Sequence, residues 1–186
     1  MAGLPRAQLA HFGFHVRDFE GMVEFYSKVL GMVVTDSGDY YMGGKIAFMS
    51  RDPTEHHQLV VASGRTDDGS FKVINQISFK VESLEDLRTY YAWLVTQNVN
   101  EMNPRNHGNA WSIYFRDPEG NRVEIYTSTP WYVAQPFGEP LDLSESADTI
   151  RSKTEALVQK YPTMTKIEDW SGKLEEKIRA SDPLQH

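Results

Sequence analysis

An internal repeat constrains the fold of this chain more than any other feature of its sequence. The segment LAHFGFHVRDFE, which begins at Leu9, aligns with INQISFKVESLE, which begins at Ile74, at an offset of 65 residues. The same offset aligns two further pairs of segments: Phe25-Tyr26 with Tyr90-Tyr91, and Arg51-Asp52-Pro53 with Arg116-Asp117-Pro118. Three matches at one offset indicate two copies of one supersecondary unit.

Each copy has the pattern of a strand, a helix and further strands. Asp18 is placed to cap the helix of the first copy, and Gly31 suits the position after its end. Ser83 is the corresponding cap in the second copy. The β-rich runs that follow the helices are YYMGGKIAFMS, HHQLVVA, AWSIYFR and RVEIYTS. We therefore predict an α+β fold with two tandem βαβββ modules, residues 8–66 and 71–130, that form an incomplete barrel around a shared cavity.

A C-terminal extension, residues 131–186, lies outside the repeat. The segment TPWYVAQPFGEP, which begins at Thr129, is rich in proline and predicts an extended crossing segment. Beyond it we expect two helices, at about 144–160 and 165–180, with Ser144 as a cap of the first. The extension could cover the cavity or contact a second subunit, and the sequence leaves both alternatives open.

Composition excludes several classes of partner. The net charge of −7 argues against binding to nucleic acid or to an anionic membrane. No apolar run approaches the roughly 20 residues that span a bilayer, and MAGLPRAQLA lacks the apolar core of a signal peptide. We therefore expect a cytoplasmic protein. The chain has no cysteine, so a metal site must use histidine, carboxylate, amide or water ligands.

Potential metal ligands stand at matching places in the two copies. His11 opens the first strand of copy one, and Gln76 has the equivalent place in copy two. We predict that His57 opens the last strand of copy one and that Glu124 lies in the last strand of copy two. If a pseudo-twofold axis relates the copies, these four side chains converge on one point. Imidazole, carboxylate and amide ligands suit a divalent ion such as Fe(II), Mn(II), Ni(II) or Zn(II).

The segments LAHFGFHVRDFEGMVEFYSKVLGM and IYFRDPEGNRVEIY resemble the vicinal oxygen chelate superfamily, over about residues 8–130. This superfamily includes glyoxalase I, type I extradiol dioxygenases, fosfomycin-resistance proteins and bleomycin-binding proteins. The closest resemblance is to the small one-domain extradiol dioxygenases. It implies an incomplete barrel around a metal site and assembly as a homodimer or larger homo-oligomer.

The resemblance also implies a set of metal ligands. The family holds Fe(II) with two histidines and one glutamate. Here His11 and Glu124 match two of these ligands, and Gln76 replaces the second histidine. The resemblance allows an alternative in which His57 is a ligand together with His11 and Glu124, as in glyoxalase I.

Three more residues match positions that act on the substrate in the extradiol family. His57 matches the acid–base histidine, and His107 and Tyr114 match the residues that hydrogen-bond the substrate oxygens. Tyr114 lies ten residues before Glu124, which is the spacing of the family. His15 shares a strand face with His11 but matches no family role.

The function implied by this resemblance is iron-dependent and O2-dependent ring cleavage of a catechol-type aromatic substrate. One alternative is a glyoxalase-type isomerase or lyase that acts on a dicarbonyl-type substrate without consuming O2. The other alternative is a non-catalytic small-molecule binding protein of the bleomycin-resistance kind, which would need no metal.

Overall fold

A computed structural model of the protein describes residues 8–41, 43–68 and 74–181. The first residues of the predicted second module, 71–73, and the end of the C-terminal extension, 182–186, lie outside the described residues. The helices are α1 (Phe19–Leu30), α2 (Leu84–Gln97), α3 (Ala147–Val158) and α4 (Ile167–Ala180). Within the described ranges, no helix is both long enough and apolar enough to cross a membrane.

The strands form two main sheets with the same internal order. The strands are β1 (Phe12–Val16), β2 (Val33–Asp39), β3 (Lys45–Ser50), β4 (Leu59–Ser63), β5 (Ile77–Lys80), β6 (Asn100–Asn106), β7 (Ala110–Arg116), β8 (Arg122–Ser128), β9 (Trp131–Tyr132), β10 (Glu139–Pro140) and β11 (Thr165–Lys166). Sheet one has the order β1-β4-β3-β2, and sheet two has the order β10-β6-β7-β8-β5. The first strand of each module runs parallel to the last strand of that module, β1 to β4 and β5 to β8. The predicted α+β fold of two βαβββ modules is confirmed, and the two sheets do not close into a barrel.

Two strands show no alternation of apolar and polar residues in the sequence. Every residue of β2, VVTDSGD, is exposed, so this strand has no alternation of apolar and polar residues. Strand β6, NEMNPRN, is polar and contains Pro104. Both strands are formed by backbone hydrogen bonds to a neighbouring strand. The pattern of a single sequence does not contain this pairing.

The helix boundaries follow the capping residues of the sequence, with one exception. The Asp18 carboxylate accepts a hydrogen bond from the Gly21 amide at 3.0 Å, and Gly31 ends α1 with a φ of 66°. Ser83 forms a capping box with Asp86 at the start of α2. Helix α3, however, is capped by Ser146 rather than by Ser144. The predicted cap is wrong because the Ser144 hydroxyl donates instead to Asp142 at 2.6 Å, within the preceding turn.

The helix-covered faces of the two sheets form one hydrophobic core. Contacts between the modules are specific as well as apolar. The buried Tyr26 hydroxyl donates to Asp117 at 3.1 Å, and the Trp93 indole on α2 donates to the Val29 carbonyl on α1 at 3.0 Å. Burial and the Asp117 charge raise the pKa of Tyr26, so this phenol remains a donor. These contacts fix the two modules relative to each other.

The C-terminal extension docks on sheet two. Thr154 of α3 is fully buried and accepts hydrogen bonds from the Trp111 indole at 2.8 Å and the Asn106 amide at 2.9 Å. The predicted extended segment contains β9 and β10, and β10 adds a strand to the edge of sheet two beside β6. The peptide bond between Gln135 and Pro136 is cis. The extension therefore belongs structurally to the second module.

Candidate functional site

Three adjacent strands of sheet two place polar side chains in one row. Glu124 on β8 pairs with Tyr114 on β7 and with Ser78 on β5. Its sequence neighbours Val123 and Ile125 point into the core, so the alternation of a strand turns Glu124 to the opposite face. We call this face of sheet two, opposite the helices, the site face.

The Glu124 carboxylate is 6% exposed and is held by neutral donors. The Gln76 amide nitrogen donates to Oε2 of Glu124 at 2.9 Å, and the Ser78 hydroxyl donates to the same oxygen at 2.5 Å. The Gln76 amide nitrogen also donates to Ser78 at 3.0 Å. From the described residues, the amide oxygen of Gln76 accepts no hydrogen bond. This oxygen is therefore available to a cation or to water.

Tyr114 connects Glu124 to His107. The Tyr114 hydroxyl lies 2.9 Å from Nε2 of His107. Burial, followed by hydrogen bonding to Glu124 and the charge of that carboxylate, raises the pKa of Tyr114 well above its ordinary value. The phenol therefore keeps its proton and acts as a hydrogen-bond donor within the row.

The C-terminal extension fixes the orientation of His107. Its Nδ1 lies 2.6 Å from the Phe137 carbonyl oxygen, so Nδ1 carries a proton and donates to that oxygen. In the neutral ring, Nε2 then accepts the Tyr114 proton. Gly108 makes the tight turn with a φ of 71°, where an added Cβ would lie 2.4 Å from the Val133 side chain. If His107 gains a second proton, Nε2 becomes the donor and the Tyr114 hydroxyl proton is free to face Glu124.

Module one contributes a separate group of histidines. The ring centroids of His11 and His57 are 4.3 Å apart. Nδ1 of His56 lies 2.9 Å from Nδ1 of His57, and Nε2 of His56 lies 2.8 Å from the Asp36 carboxylate. Because Asp36 is an acceptor, neutral His56 keeps its proton on Nε2 and accepts one from His57 at Nδ1. Nε2 of His57 is thereby left with its lone pair. Burial, and then the neighbouring His11 and His56, lower the pKa of His57 and favour this neutral form.

The predicted position of His57 at the start of the last strand of copy one is wrong. Strand β4 begins at Leu59, and His57 lies in the turn before it. The register pairs Gly13 with Val60 in module one and Ser78 with Glu124 in module two. The residue equivalent to Glu124 is therefore Val60. The turn in copy one extends to Gln58, whose amide oxygen accepts from the Arg51 backbone at 3.0 Å, and this moves His57 off the sheet.

The structure brings some of the predicted site residues together and leaves others apart. Gln76 and Glu124 are in contact, and so are His107 and Tyr114. His11 and Gln76 line one cavity of about 680 Å³, together with Ser78. The alternative ligand set, with His57 in addition to His11 and Glu124, is not gathered at one point. Within the described ranges, no three histidine, aspartate or glutamate side chains are arranged to hold a metal ion.

His11 and Gln76 of this cavity, together with Glu124, which contacts Gln76, nevertheless fit a divalent cation in their chemistry. A buried carboxylate is costly unless it is paired, and Glu124 has no ion pair with any described residue. A divalent ion would supply the missing positive charge. The His11 imidazole, the Glu124 carboxylate and the free amide oxygen of Gln76 would hold it, with water completing the coordination.

Two residues of the site were not predicted. Ser78 stands at the repeat position of Gly13, where a Cβ would lie 3.3 Å from the Val60 side chain. The repeat alignment contains this signal, because a serine replaces a glycine on the face of Gln76. Phe137 acts through its backbone carbonyl, which no sequence pattern reveals.

His15 lies apart from these residues. Its Nδ1 donates to the Ser63 carbonyl at 2.9 Å, and its side chain lines a second cavity of about 760 Å³.

Comparison with known proteins gives consistent matches. The sequence model of the Glyoxalase/Bleomycin resistance protein/Dioxygenase superfamily matches residues 8–125. Biphenyl-2,3-diol 1,2-dioxygenase 2 of Rhodococcus globerulus is 26% identical over 159 residues, which cover 76% of this chain and 80% of that protein. Metallothiol transferase FosB of Staphylococcus epidermidis is 26% identical over 125 residues, which cover 64% of this chain and 80% of that protein.

Solved structures share the fold. A glyoxylase/bleomycin resistance protein/dioxygenase domain from Frankia sp. EAN1pec superposes with a TM-score of 0.57 at 21% identity. The superposition covers 67% of this chain and 94% of that domain. This identity supports a common fold and carries no information about the reaction.

Proposed function

The chain belongs to the Glyoxalase/Bleomycin resistance protein/Dioxygenase superfamily, and on that premise we propose that it is a metal-dependent dioxygenase of the extradiol type. Its substrate would be a catechol-type aromatic compound whose ring is cleaved with O2. The observation that carries this proposal is the row formed by Gln76, Ser78, Glu124, Tyr114 and His107. One end of the row offers ligands for a cation, and the other end offers a proton donor and acceptor.

A divalent ion, with Fe(II) favoured, would supply the charge that binds the two neighbouring oxygens of a catecholate and activates O2. His11, Gln76 and Glu124 are the residues that would hold it. Ser78 fixes the carboxylate of Glu124 through its 2.5 Å hydrogen bond and so limits the directions in which this ligand points.

The residues next to the proposed centre bind and orient the substrate. The Tyr114 phenol has a raised pKa and therefore donates a hydrogen bond to a substrate oxygen instead of ionising. His107 is held in place by the Phe137 carbonyl. Its Nε2 accepts the proton of the Tyr114 hydroxyl or returns a proton to it. His57, in its neutral form, offers the lone pair of Nε2 as a proton acceptor on the side of His11.

Oxygen consumption tests this proposal directly. Protein reconstituted anaerobically with Fe(II) is mixed with catechol, 3-phenylcatechol and 4-methylcatechol in an oxygen electrode, with ring opening followed by absorbance. We expect equal consumption of O2 and catechol for at least one compound, and a loss of at least 100-fold in Glu124→Gln. Tyr114→Phe should also slow O2 consumption, whereas its matched control Tyr41→Phe, at a tyrosine that is 90% exposed, should not. Metal-loaded protein that consumes no O2 with any catechol would refute the dioxygenase proposal.

A glyoxalase-type isomerase or lyase is the second candidate, and Gln76 is the observation that favours it. A neutral amide oxygen is a weaker metal ligand than the imidazole of the histidine that Gln76 replaces in the extradiol pattern. It suits a redox-inert ion as well as iron. Such an enzyme would move a proton of a dicarbonyl-type substrate without O2. Turnover of a hemithioacetal of methylglyoxal under anaerobic conditions would distinguish it from a dioxygenase.

A further inference from the structure

We propose that Arg105 and Arg122 form an anion subsite beside Tyr114, so that the substrate carries an anionic group such as a carboxylate or a phosphonate. The inference rests on the proposed function, because it names the substrate class of the same site. Nothing in the sequence pattern or in the family resemblance assigns a role to either arginine.

The position of Arg122 places its charge next to the reacting residues. It stands two residues before Glu124 on β8 and therefore lies on the site face. Its guanidinium carbon is 5.5 Å from the centroid of the Tyr114 ring. Arg122 lines two cavities, the one of about 760 Å³ that His15 also lines and one of about 260 Å³ that His107 and Tyr114 line. An anion bound at Arg122 therefore lies beside Tyr114.

Positive charge accumulates in the smaller cavity without matching negative charge. Arg105, Arg116 and Arg122 all line it, with Glu101 as its one acidic lining residue. Arg116 uses Nε to pair with Glu101 at 2.8 Å. Among residues that the structure describes, neither Arg105 nor Arg122 has an ion pair or a side-chain hydrogen bond. Two guanidinium groups are thus available in a chain whose net charge is −7.

The arrangement is unfavourable for the fold alone. Arg116 and Arg122 stand directly opposite each other on β7 and β8, and like charges at such a pair of positions are destabilising. Arg65, by contrast, lines the larger cavity but is paired with Asp67 and Glu119. A guanidinium group that is paired with carboxylates is not available to an anionic ligand. The guanidinium groups of Arg105 and Arg122 remain available to one.

The chemistry of guanidinium selects the ligand class. Its planar fork donates two parallel hydrogen bonds to a carboxylate or a phosphonate. A cavity of about 260 Å³ is large enough for such a group. The substrate that fits has neighbouring oxygens near Glu124 and an anionic substituent that reaches Arg122.

Binding measured by calorimetry tests the subsite separately from turnover. The probes are 3,4-dihydroxybenzoate, its neutral analogue 4-methylcatechol, propylphosphonate and inorganic phosphate, titrated into the metal-reconstituted full chain without O2. We expect wild type to bind 3,4-dihydroxybenzoate at least tenfold more tightly than 4-methylcatechol. Arg122→Gln should reduce this ratio at least fivefold, and Arg122→Lys should retain most of it. The relative affinities of propylphosphonate and 3,4-dihydroxybenzoate show whether a phosphonate or a carboxylate is preferred.

Arg179→Gln is the matched control, because it removes one positive charge from α4, where Arg179 pairs with Glu175. It should leave all affinities unchanged. Arg122→Gln should melt at or above the wild-type temperature, because removing the Arg122 charge relieves its repulsion from Arg116. This melting temperature is the check that the variant folds. Equal affinities of the acid and its neutral analogue in wild type, an unchanged ratio in Arg122→Gln, or no anion binding would each overturn the proposal. Anion binding without O2 consumption would instead refute the dioxygenase and leave the subsite intact.

Discussion

Replacing Thr154 by valine should weaken the packing of α3 on sheet two at a measurable cost in stability. Valine has nearly the same shape as threonine, so the change removes a hydroxyl without opening a cavity. The Trp111 indole and the Asn106 amide, both buried, would lose the acceptor that they share at 2.8 and 2.9 Å. Each buried donor left unsatisfied costs about 1–3 kcal/mol, so we expect a decrease of about 2–6 kcal/mol in the free energy of unfolding.

Urea denaturation followed by tryptophan fluorescence gives this free energy, and a thermal scan should show a decrease in melting temperature of roughly 4–24 °C for a domain of this size. Thr89→Val is the matched control. Thr89 makes the same helical hydrogen bond, to the Glu85 carbonyl at 3.0 Å, but is exposed and accepts from no buried donor. A Thr154→Val variant within about 0.5 kcal/mol of Thr89→Val would refute the reasoning, because changes of that size are ordinary for surface substitutions.

Three further predictions concern the site. Gln76→His should bind Fe(II) about tenfold more tightly in equilibrium dialysis, because an imidazole is a better donor than an amide oxygen; unchanged affinity would show that Gln76 is not a ligand. Tyr114→Phe should lower kcat for O2 consumption about 100-fold at unchanged metal content, the contribution of one positioned proton donor; loss of metal instead would assign Tyr114 a structural role. Because the pKa of His57 is lowered in the folded protein, the unfolded chain binds a proton at a higher pH than the folded protein does. The contribution of His57 to stability is therefore complete above the ordinary histidine pKa and is lost as the pH falls through the lowered value. His57→Gln should therefore reduce the fall in unfolding free energy between pH 7.5 and pH 5, measured with metal-free protein, and an unchanged slope would contradict this.

The sequence predicts the parts of the fold that depend on local chemistry. Asp18, Gly31 and Ser83 mark helix ends because their side chains or backbone conformations satisfy terminal groups directly. The repeat predicts the shared topology, because equal sequences favour equal supersecondary units. The predicted modules imply β2 and β6, but the residue ranges of these strands escape prediction because they are held by pairing with a neighbour and not by burial of an apolar face.

The candidate site was predictable to the extent that it lies on regular strands. The contact between Gln76 and Glu124 follows from the repeat and from the pairing of first and last strands. The position of His57 does not follow, because the length of a turn decides whether a residue enters the sheet. The orientation of His107 depends on the Phe137 carbonyl, 30 residues away in the chain, and thus on how the extension docks.

The metal content of the purified protein tests the proposed metal centre directly. Protein purified anaerobically is analysed by elemental mass spectrometry for wild type, His11→Ala and Glu124→Ala. His15→Ala is the control, because it removes a histidine of β1, four residues after His11, that is not one of the proposed ligands. We predict near-stoichiometric iron in wild type and in His15→Ala, and its loss in the other two variants. Wild-type protein that holds no metal, even after reconstitution with Fe(II), would contradict the proposed metal-dependent enzyme and leave a ligand-binding protein.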